Sequence, residues 1–92
     1  MNIGFYEVES WEKDYLKKAF PKDQLTFFKG KLTLKNLDKT LEVVSFFIYS
    51  KINEKIIKSL PKLKLITTRS TGFSHIDLEA CKQIPVCNVP TY

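Results

Sequence analysis

The residues between Arg69 and His75 have the clearest capacity for ligand chemistry, because they follow an apolar run that predicts a β-strand. Gly72 lacks a Cβ, so it permits unusual backbone angles and a close approach of a ligand to the main chain. Successive N–H groups in such a turn form a concave site for an anion. Such a turn would suit a small carboxylate, held by the amides of Thr71 and Gly72. Spacing alone instead favours a glycine that only turns the chain.

Other catalytic and metal-binding patterns find little support in the sequence. His75 is the only histidine, and no partner stands at the spacing of a catalytic triad, so we expect a surface or loop-stabilising histidine rather than a general base. One histidine and two separated cysteines, Cys81 and Cys87, do not make a metal site, and the cysteines are expected to be free thiols. The glycines lie too far apart for a GxGxxG loop or a P-loop.

The composition indicates a single folded domain without a nucleic-acid partner. The chain has 92 residues, of which 43% are hydrophobic and 13% aromatic, and this excludes a disordered protein. The net charge of +5 raises nucleic acid as a partner, but lysines supply the excess and Arg69 is the only arginine. No segment predicts a membrane span, and the N-terminus lacks the pattern of a signal peptide, so a cytoplasmic location is expected.

Runs of apolar, β-branched and aromatic residues predict five strands. The third run is apolar nearly throughout instead of alternating, which is typical of a parallel strand covered on both faces. The predicted strands cover Asn2–Val8, Gln24–Phe28, Val43–Tyr49, Leu63–Thr68 and Val86–Val89.

Four helices are predicted between the strands, each beginning at a residue that can cap a helix N-terminus. The expected caps are Ser10, Thr33, Asn53 and Asp77. The helices are expected to end before Pro21, near Thr40, before Pro61 and at Lys82. Each of the first three helices has one apolar face. It is formed by Trp11, Tyr15, Leu16 and Ala19 in the first helix, by Leu34, Leu37 and Leu41 in the second, and by Ile56, Ile57 and Leu60 in the third.

The alternation of strands and helices predicts an α/β fold: a flavodoxin-like parallel sheet of about five strands, in the order 2-1-3-4-5, with helices on both faces. In such a sheet, ligands bind beyond the carboxyl ends of the strands. Glu7 and Glu9 stand at the end of the first strand, segment 49–51 follows the third, and segment 69–75 follows the fourth. These residues are therefore expected to lie at one edge of the sheet.

Two motifs in the sequence, separated by ten residues or so, resemble those of a known enzyme family. One is R-S-T-G-F-S-H-I-D at Arg69–Asp77, and the other is C-N-V-P-T-Y at Cys87–Tyr92. Their order and context resemble the D-isomer-specific 2-hydroxyacid dehydrogenases, in particular the D-lactate dehydrogenase-like branch. Segments 5–12 and 47–51 are also similar, so the resemblance covers essentially the whole chain.

The resemblance implies a part of a two-domain enzyme that uses NAD. In that family a Rossmann NAD-binding domain is inserted into a flavodoxin-like substrate-binding domain, and hydride passes between nicotinamide and C2 of a 2-oxo acid such as pyruvate. Residues 1–92 match the N-terminal segment of the substrate-binding domain. The family's catalytic Arg, Glu and His and its GxGxxG loop match no residues of this chain. We therefore expect the chain alone to bind no NAD and to have no turnover.

The resemblance also implies roles for individual residues. The amides of Thr71 and Gly72 match those that hold the substrate carboxylate. Tyr49 matches a position that lines the pocket for the substrate side chain, and Tyr92 matches a tyrosine that reaches the substrate. Arg69 matches the family's loop arginine and is expected only to organise the turn.

Two departures from the family pattern stand near this site. Ser74 occupies the position of a usual Asp, which removes a carboxylate that braces the loop. The link 82–86 is about two residues shorter than usual and lacks the glycine that ends a helix. The alternative to a dehydrogenase segment is a stand-alone flavodoxin-like binding or dimerisation module without redox activity. Exposed apolar surface and open strand edges predict a homodimer or other self-association.

Overall fold

The computed structural model describes residues 1–88, which contain five strands and two helices. The strands are β1 (Asn2–Phe5), β2 (Gln24–Phe27), β3 (Val43–Phe46), β4 (Leu65–Thr68) and β5 (Val86–Cys87). The helices are α1 (Ser10–Ala19) and α2 (Glu54–Lys58). Two predicted features, the site residue Tyr92 and the end of the fifth strand at Val89, lie outside the described residues.

The strands form one parallel sheet in the order β2-β1-β3-β4-β5, which confirms the predicted topology. β1 lies between β2 and β3, with Ile3 opposite Leu25 on one side and Val43 on the other. The next pairs place Val43 opposite Leu65 and Ile66 opposite Val86. Because every pair is parallel, the carboxyl ends of all five strands share one edge.

Each face of the sheet has its own apolar core, because successive side chains of a strand point to opposite faces. Ile3 and Val43 belong to one core, against which Leu16 of α1 packs. Val44 belongs to the other core, together with Ile56 of α2. The predicted placement of helices on both faces is therefore confirmed, with one helix on each.

Helix α1 differs from the prediction in its cap and in its buried face. The cap is Glu9, whose main-chain oxygen accepts from the Glu12 N–H at 3.0 Å, while the Glu12 side chain accepts from the Glu9 N–H at 2.9 Å. This reciprocal pair is a capping box. Trp11 and Tyr15 are 72% and 70% exposed and Ala19 is also exposed, so Leu16 is the one residue of the predicted apolar face that is partly buried. The contact with the sheet is made by Leu16, and a rotation of ~100° per residue turns the two aromatic rings away from it.

No helix forms between Thr33 and Thr40, contrary to the prediction. The Asn36 side chain accepts from the Thr33 N–H at 2.8 Å, and the Asp38 side chain accepts from the Thr40 N–H at 2.9 Å. Such local bonds give the backbone an alternative to helical hydrogen bonds. Of the three leucines predicted to face inward, Leu34 is exposed, Leu37 is partly buried and Leu41 is fully buried.

Helix α2 begins as predicted, because the Asn53 side chain accepts from the Ile56 N–H at 3.1 Å. Ile56 and Leu60 are buried and Ile57 is half-buried, which confirms the predicted stripe. The helix ends at Lys58, before the predicted limit.

The fourth predicted helix is a series of turns. The Asp77 side chain accepts from the N–H groups of Glu79 and Ala80 at 3.1 and 3.3 Å, but no helix follows for it to cap. The following backbone bonds join residues three apart, as from the Cys81 N–H to the Leu78 oxygen at 3.2 Å. The chain therefore turns through 78–83 without building an α-helix. Among residues 1–88, no helix is long and apolar enough to cross a membrane.

Candidate functional site

Three loops meet at the carboxyl edge of the sheet, after β1, β3 and β4. A parallel bridge between Ile52 and Ile76 joins the second loop to the third. The Ile52 N–H donates to the His75 carbonyl oxygen at 2.9 Å, and the Asp77 N–H donates to the Ile52 oxygen at 2.8 Å. The segments that the sequence placed at one edge are therefore in physical contact.

Arg69 holds the loop after β4 to the ends of β1 and β3. Its guanidinium donates to the Ser45 hydroxyl at 2.9 Å and to the main-chain oxygens of Tyr6 and Glu7. Its Nε lies 3.7 Å from a carboxylate oxygen of Glu12, and its side chain is only 12% exposed. These contacts agree with the predicted role of organising the turn, and they commit the guanidinium to the protein.

Glu7 bends the chain after β1 and holds the loop after β3. Its backbone is left-handed, with φ 57°, and both predicted strands end early here, β1 at Phe5 and β3 at Phe46. The Glu7 carboxylate accepts from the Phe47 N–H at 2.8 Å, the Tyr49 N–H at 3.1 Å, the Ser50 N–H at 3.1 Å and the Ser50 hydroxyl at 2.6 Å. The loop amides therefore bind a side chain instead of extending the strand.

Thr71 and Gly72 are exposed at this edge, and their carbonyl and amide groups differ in what they contact. The Thr71 oxygen accepts from the Asn88 side chain at 2.8 Å, and the Gly72 oxygen accepts from the Ser70 hydroxyl at 3.1 Å. Within residues 1–88, neither the Thr71 N–H nor the Gly72 N–H donates a hydrogen bond to the protein. The carbonyl groups are thus held, while the two amides are available to an anion.

The backbone of Gly72 corrects one part of the prediction. Its φ is not positive, so the unusual backbone angles expected from the glycine are absent. A Cβ built on Gly72 has no atom of another residue within 4 Å except those next to it in the chain. An L-residue therefore fits this position without torsional strain, and what the missing side chain provides is an open approach to the main chain.

A chain of hydroxyl groups connects His75 to the Gly72 carbonyl. The Thr68 hydroxyl oxygen lies 2.8 Å from His75 Nε2 and 2.7 Å from the Ser70 hydroxyl oxygen, and both hydroxyl-bearing residues are buried. Because a carbonyl only accepts, Ser70 donates to Gly72; Thr68 then donates to Ser70, and His75 Nε2–H donates to Thr68. The neutral ring is therefore assigned to the Nε2–H tautomer.

The surroundings of His75 favour its neutral form. Burial lowers the pKa of His75 from its ordinary value of 6.5, although the negative charge of Glu7 acts in the opposite direction. The imidazole packs edge-on against Phe46, with ring centroids 5.8 Å apart. With its Nε2–H donated to Thr68, the side chain stabilises the loop, as expected from the sequence.

Tyr49 lies beside a cleft of about 520 Å³ at the same edge. Its side chain is largely exposed, and its ring centroid is 6.2 Å from that of Phe47. The residues lining the cleft are Glu7, Glu9, Lys29, Gly30, Lys31, Phe47 and Tyr49. Thr71 and Gly72 do not line it, so the described structure brings Tyr49 to the predicted edge without placing it in one pocket with the two amides.

The cysteines and other possible metal ligands form no further site in the described part of the chain. Cys81 and Cys87 are free thiols, the first buried and the second exposed, and burial raises the pKa of Cys81. No group of three or more His, Cys, Asp or Glu side chains within residues 1–88 could hold a metal ion. Ser74, at the position of the usual Asp, is exposed.

Comparison with known proteins matches this fold and these motifs to one group of enzymes. Residues 3–92 match the family described as D-isomer specific 2-hydroxyacid dehydrogenase, catalytic domain. A Schizosaccharomyces pombe protein named 2-hydroxyacid dehydrogenase homolog 1 is 31% identical over 100 aligned positions, and D-lactate dehydrogenase from Escherichia coli is 29% identical over 100. Each alignment covers all of this chain and 30% of the relative.

Solved structures give the same result. D-lactate dehydrogenase from Aquifex aeolicus, in complex with NAD and lactic acid, superposes with a TM-score of 0.88 at 32% identity, over 99% of this chain and 28% of that one. The apo structure of the Escherichia coli enzyme superposes with a TM-score of 0.89 at 28% identity, over 100% of this chain and 32% of that one. The chain therefore spans less than one third of the length of these relatives.

Proposed function

The chain belongs to the D-isomer-specific 2-hydroxyacid dehydrogenase family, and we propose that it forms the N-terminal segment of the substrate-binding domain of such an enzyme. In this role residues 1–92 bind the carboxylate of a small 2-oxo or 2-hydroxy acid. The observation that carries the proposal is the pair of amides at Thr71 and Gly72, which make no hydrogen bond with the described protein and lie at the carboxyl edge of a parallel sheet.

The geometry of the loop suits a weak, directional anion site. Two neighbouring amides can donate to the two oxygens of a carboxylate. Arg69 is already bound to Ser45, Tyr6 and Glu7, so it is not free to pair with the ligand. Charge-assisted hydrogen bonds are the strong ones, and without them we expect a dissociation constant of about 1 mM or weaker.

The chemistry of hydride transfer belongs to groups outside this chain. NAD, when bound to the whole enzyme, exchanges hydride with C2 of the acid. The glycines of this chain stand at 4, 30 and 72, so its residues do not fit the phosphates of a dinucleotide. The contribution of the chain is to hold the substrate: Thr71 and Gly72 bind the carboxylate, and Tyr49 borders the substrate side chain. Tyr92, which matches a tyrosine that contacts the substrate in the family, lies outside the described residues.

We also propose that the chain self-associates and that it is located in the cytoplasm. β2 and β5 are the edge strands of the sheet, and an exposed strand edge is a template for pairing with another chain. Trp11 and Tyr15 add exposed aromatic surface on α1. Family membership favours a dehydrogenase segment over a stand-alone binding module, because the match runs through both motifs.

Amide NMR of the chain titrated with oxamate, an unreactive analogue of a 2-oxo acid, tests the carboxylate site. We expect saturable shifts of the Thr71 and Gly72 resonances at millimolar oxamate. Gly72→Val should abolish these shifts, because a branched side chain covers the approach to the amides.

Gly30→Val is the matched control. Gly30, like Gly72, has no positive φ and no neighbouring atom within 4 Å of a built Cβ, so the same residue is added at equal steric cost. The shifts should survive in Gly30→Val. Shifts confined to the lysines of α1, with Thr71 and Gly72 silent, would mean nonspecific charge attraction and would favour the stand-alone module.

A further inference from the structure

The carboxylate of Glu7 lies in a set of donors from a loop 40 to 43 residues further along the chain. Three main-chain N–H groups, from Phe47, Tyr49 and Ser50, converge on its two oxygens, and the Ser50 hydroxyl adds a fourth bond at 2.6 Å. Main-chain N–H groups that converge in this way make an anion-binding concavity, here called the 47–50 nest. An acidic side chain of the same protein fills it.

The buried position of Ser50 makes this anion necessary to the loop. Ser50 is fully buried, and its hydroxyl oxygen also accepts from the Leu32 N–H at 2.8 Å. The hydroxyl proton therefore points to Glu7, and loss of the carboxylate leaves this hydroxyl without its acceptor. A donor left without a partner in the interior is costly, so the loop would have to rearrange.

The backbone around Glu7 is held so that its side chain reaches the nest. Arg69 binds the carbonyl oxygens of Tyr6 and Glu7, and the Glu7 N–H donates to the Gly30 oxygen at 2.9 Å. These bonds fix the left-handed conformation of Glu7, which directs the chain away from β1 and the side chain towards the end of β3. Three loops of the site are thereby joined at one residue.

We infer that Glu7 is a positioning residue for substrate selection: its carboxylate fills the 47–50 nest and so fixes Tyr49 as a wall beside the substrate side chain. The involvement of the substrate rests on the proposed function, whereas the nest rests on the hydrogen bonds alone. One consequence is specific to a nest. When the side chain is removed, a small free carboxylate binds in its place.

Formate rescue of Glu7→Ala tests this consequence. In the variant, hydrogen exchange of the Tyr49 and Ser50 amides should be about ten- to hundredfold faster than in the parent chain, as expected for the loss of bonds to a charged acceptor. Added sodium formate should slow this exchange and shift the Phe47, Tyr49 and Ser50 amides saturably. Sodium chloride at equal ionic strength should do neither, and the parent chain should not respond at these amides.

Two further variants make the result decisive. Glu79→Ala removes an exposed carboxylate that pairs with Lys82 at the surface, so it should leave loop exchange and formate response unchanged. Glu7→Gln keeps the shape of the side chain and one acceptor oxygen, so it should give intermediate exchange if Glu7→Ala does not fold. Unchanged exchange in both Glu7 variants, or no formate response in Glu7→Ala, would overturn the assignment of the nest.

The role in selection is measured separately, by the ratio of affinities for oxamate and for a bulkier 2-oxo acid. Glu7→Ala should reduce this ratio several-fold towards unity, and formate should restore it, while the Thr71 and Gly72 amides still respond to both ligands. An unchanged ratio with a fast-exchanging loop would contradict the positioning role. Silence of Thr71 and Gly72 in the parent chain would instead contradict the proposed function, and the formate result would still decide whether the nest exists.

Discussion

The hydroxyl of Ser70 donates to the carbonyl oxygen of Gly72 at 3.1 Å, two residues further along the chain. This bond is the last of a series that begins at His75 Nε2 and passes through the Thr68 hydroxyl. It fixes the carbonyl of the peptide unit that follows Gly72, next to the two amides that the proposed function uses. The loop is therefore ordered from the interior of the protein, although Thr71, Gly72 and Ser74 are exposed.

Replacing Ser70 by Ala should weaken this order. The buried Thr68 hydroxyl loses its acceptor, and the free energy of unfolding should fall by about 1–3 kcal/mol. Urea denaturation measures the change. Ser74→Ala is the control, because Ser74 is exposed, and a change within about 0.5 kcal/mol is expected there. Equal effects of the two substitutions would show that the hydroxyl series contributes nothing to stability.

Stability should also depend on the protonation of His75. Its pKa in the folded protein is lowered by burial below the ordinary value of 6.5, so the unfolded chain binds the proton more readily. The contribution of His75 to stability is therefore complete above pH 6.5 and is lost as the pH falls below that value. Urea denaturation at about pH 7.5 and about pH 5.5 should show the decrease.

His75→Gln separates this effect from the titration of carboxylates, which the variant retains. The variant should lose less stability than the parent chain between the two pH values, because it has no imidazole to protonate. An identical decrease in both proteins would contradict the assignment. In Glu7→Gln, the pKa of His75 should fall further, since the negative charge that raises it is gone.

The sheet could be predicted from the sequence, but the contacts that build the site could not. Apolar runs such as Val43–Phe46 report burial on both faces, and their alternation with capped segments leads to the strand order. The wrong helix at Thr33–Thr40 has a local cause, because Asn36 and Asp38 compete for the backbone. The pairing of Glu7 with a loop 40 residues away has no local pattern at all. Its only signal is an acidic residue directly after a strand.

Arg69→Met should be among the most damaging single substitutions. It removes the bonds to Ser45 and to two main-chain oxygens while leaving Glu12 without its nearby cation, and the side chain is 12% exposed. The free energy of unfolding should decrease by about 3 kcal/mol. Lys62→Met, which removes an exposed positive charge, should change it by about 0.5 kcal/mol or less. A stable Arg69→Met protein would show that the loop after β4 is held by other means.

The position of a bound carboxylate is the most direct test of the proposed site. A crystal of the chain soaked in oxamate should show one carboxylate with its oxygens about 2.7–3.2 Å from the amide nitrogens of Thr71 and Gly72. The Arg69 guanidinium should keep its bonds to Ser45 and Glu7 in that complex. Oxamate bound in the cleft beside Lys29 and Lys31, with the Thr71 and Gly72 amides facing solvent, would contradict the assignment of the carboxylate site.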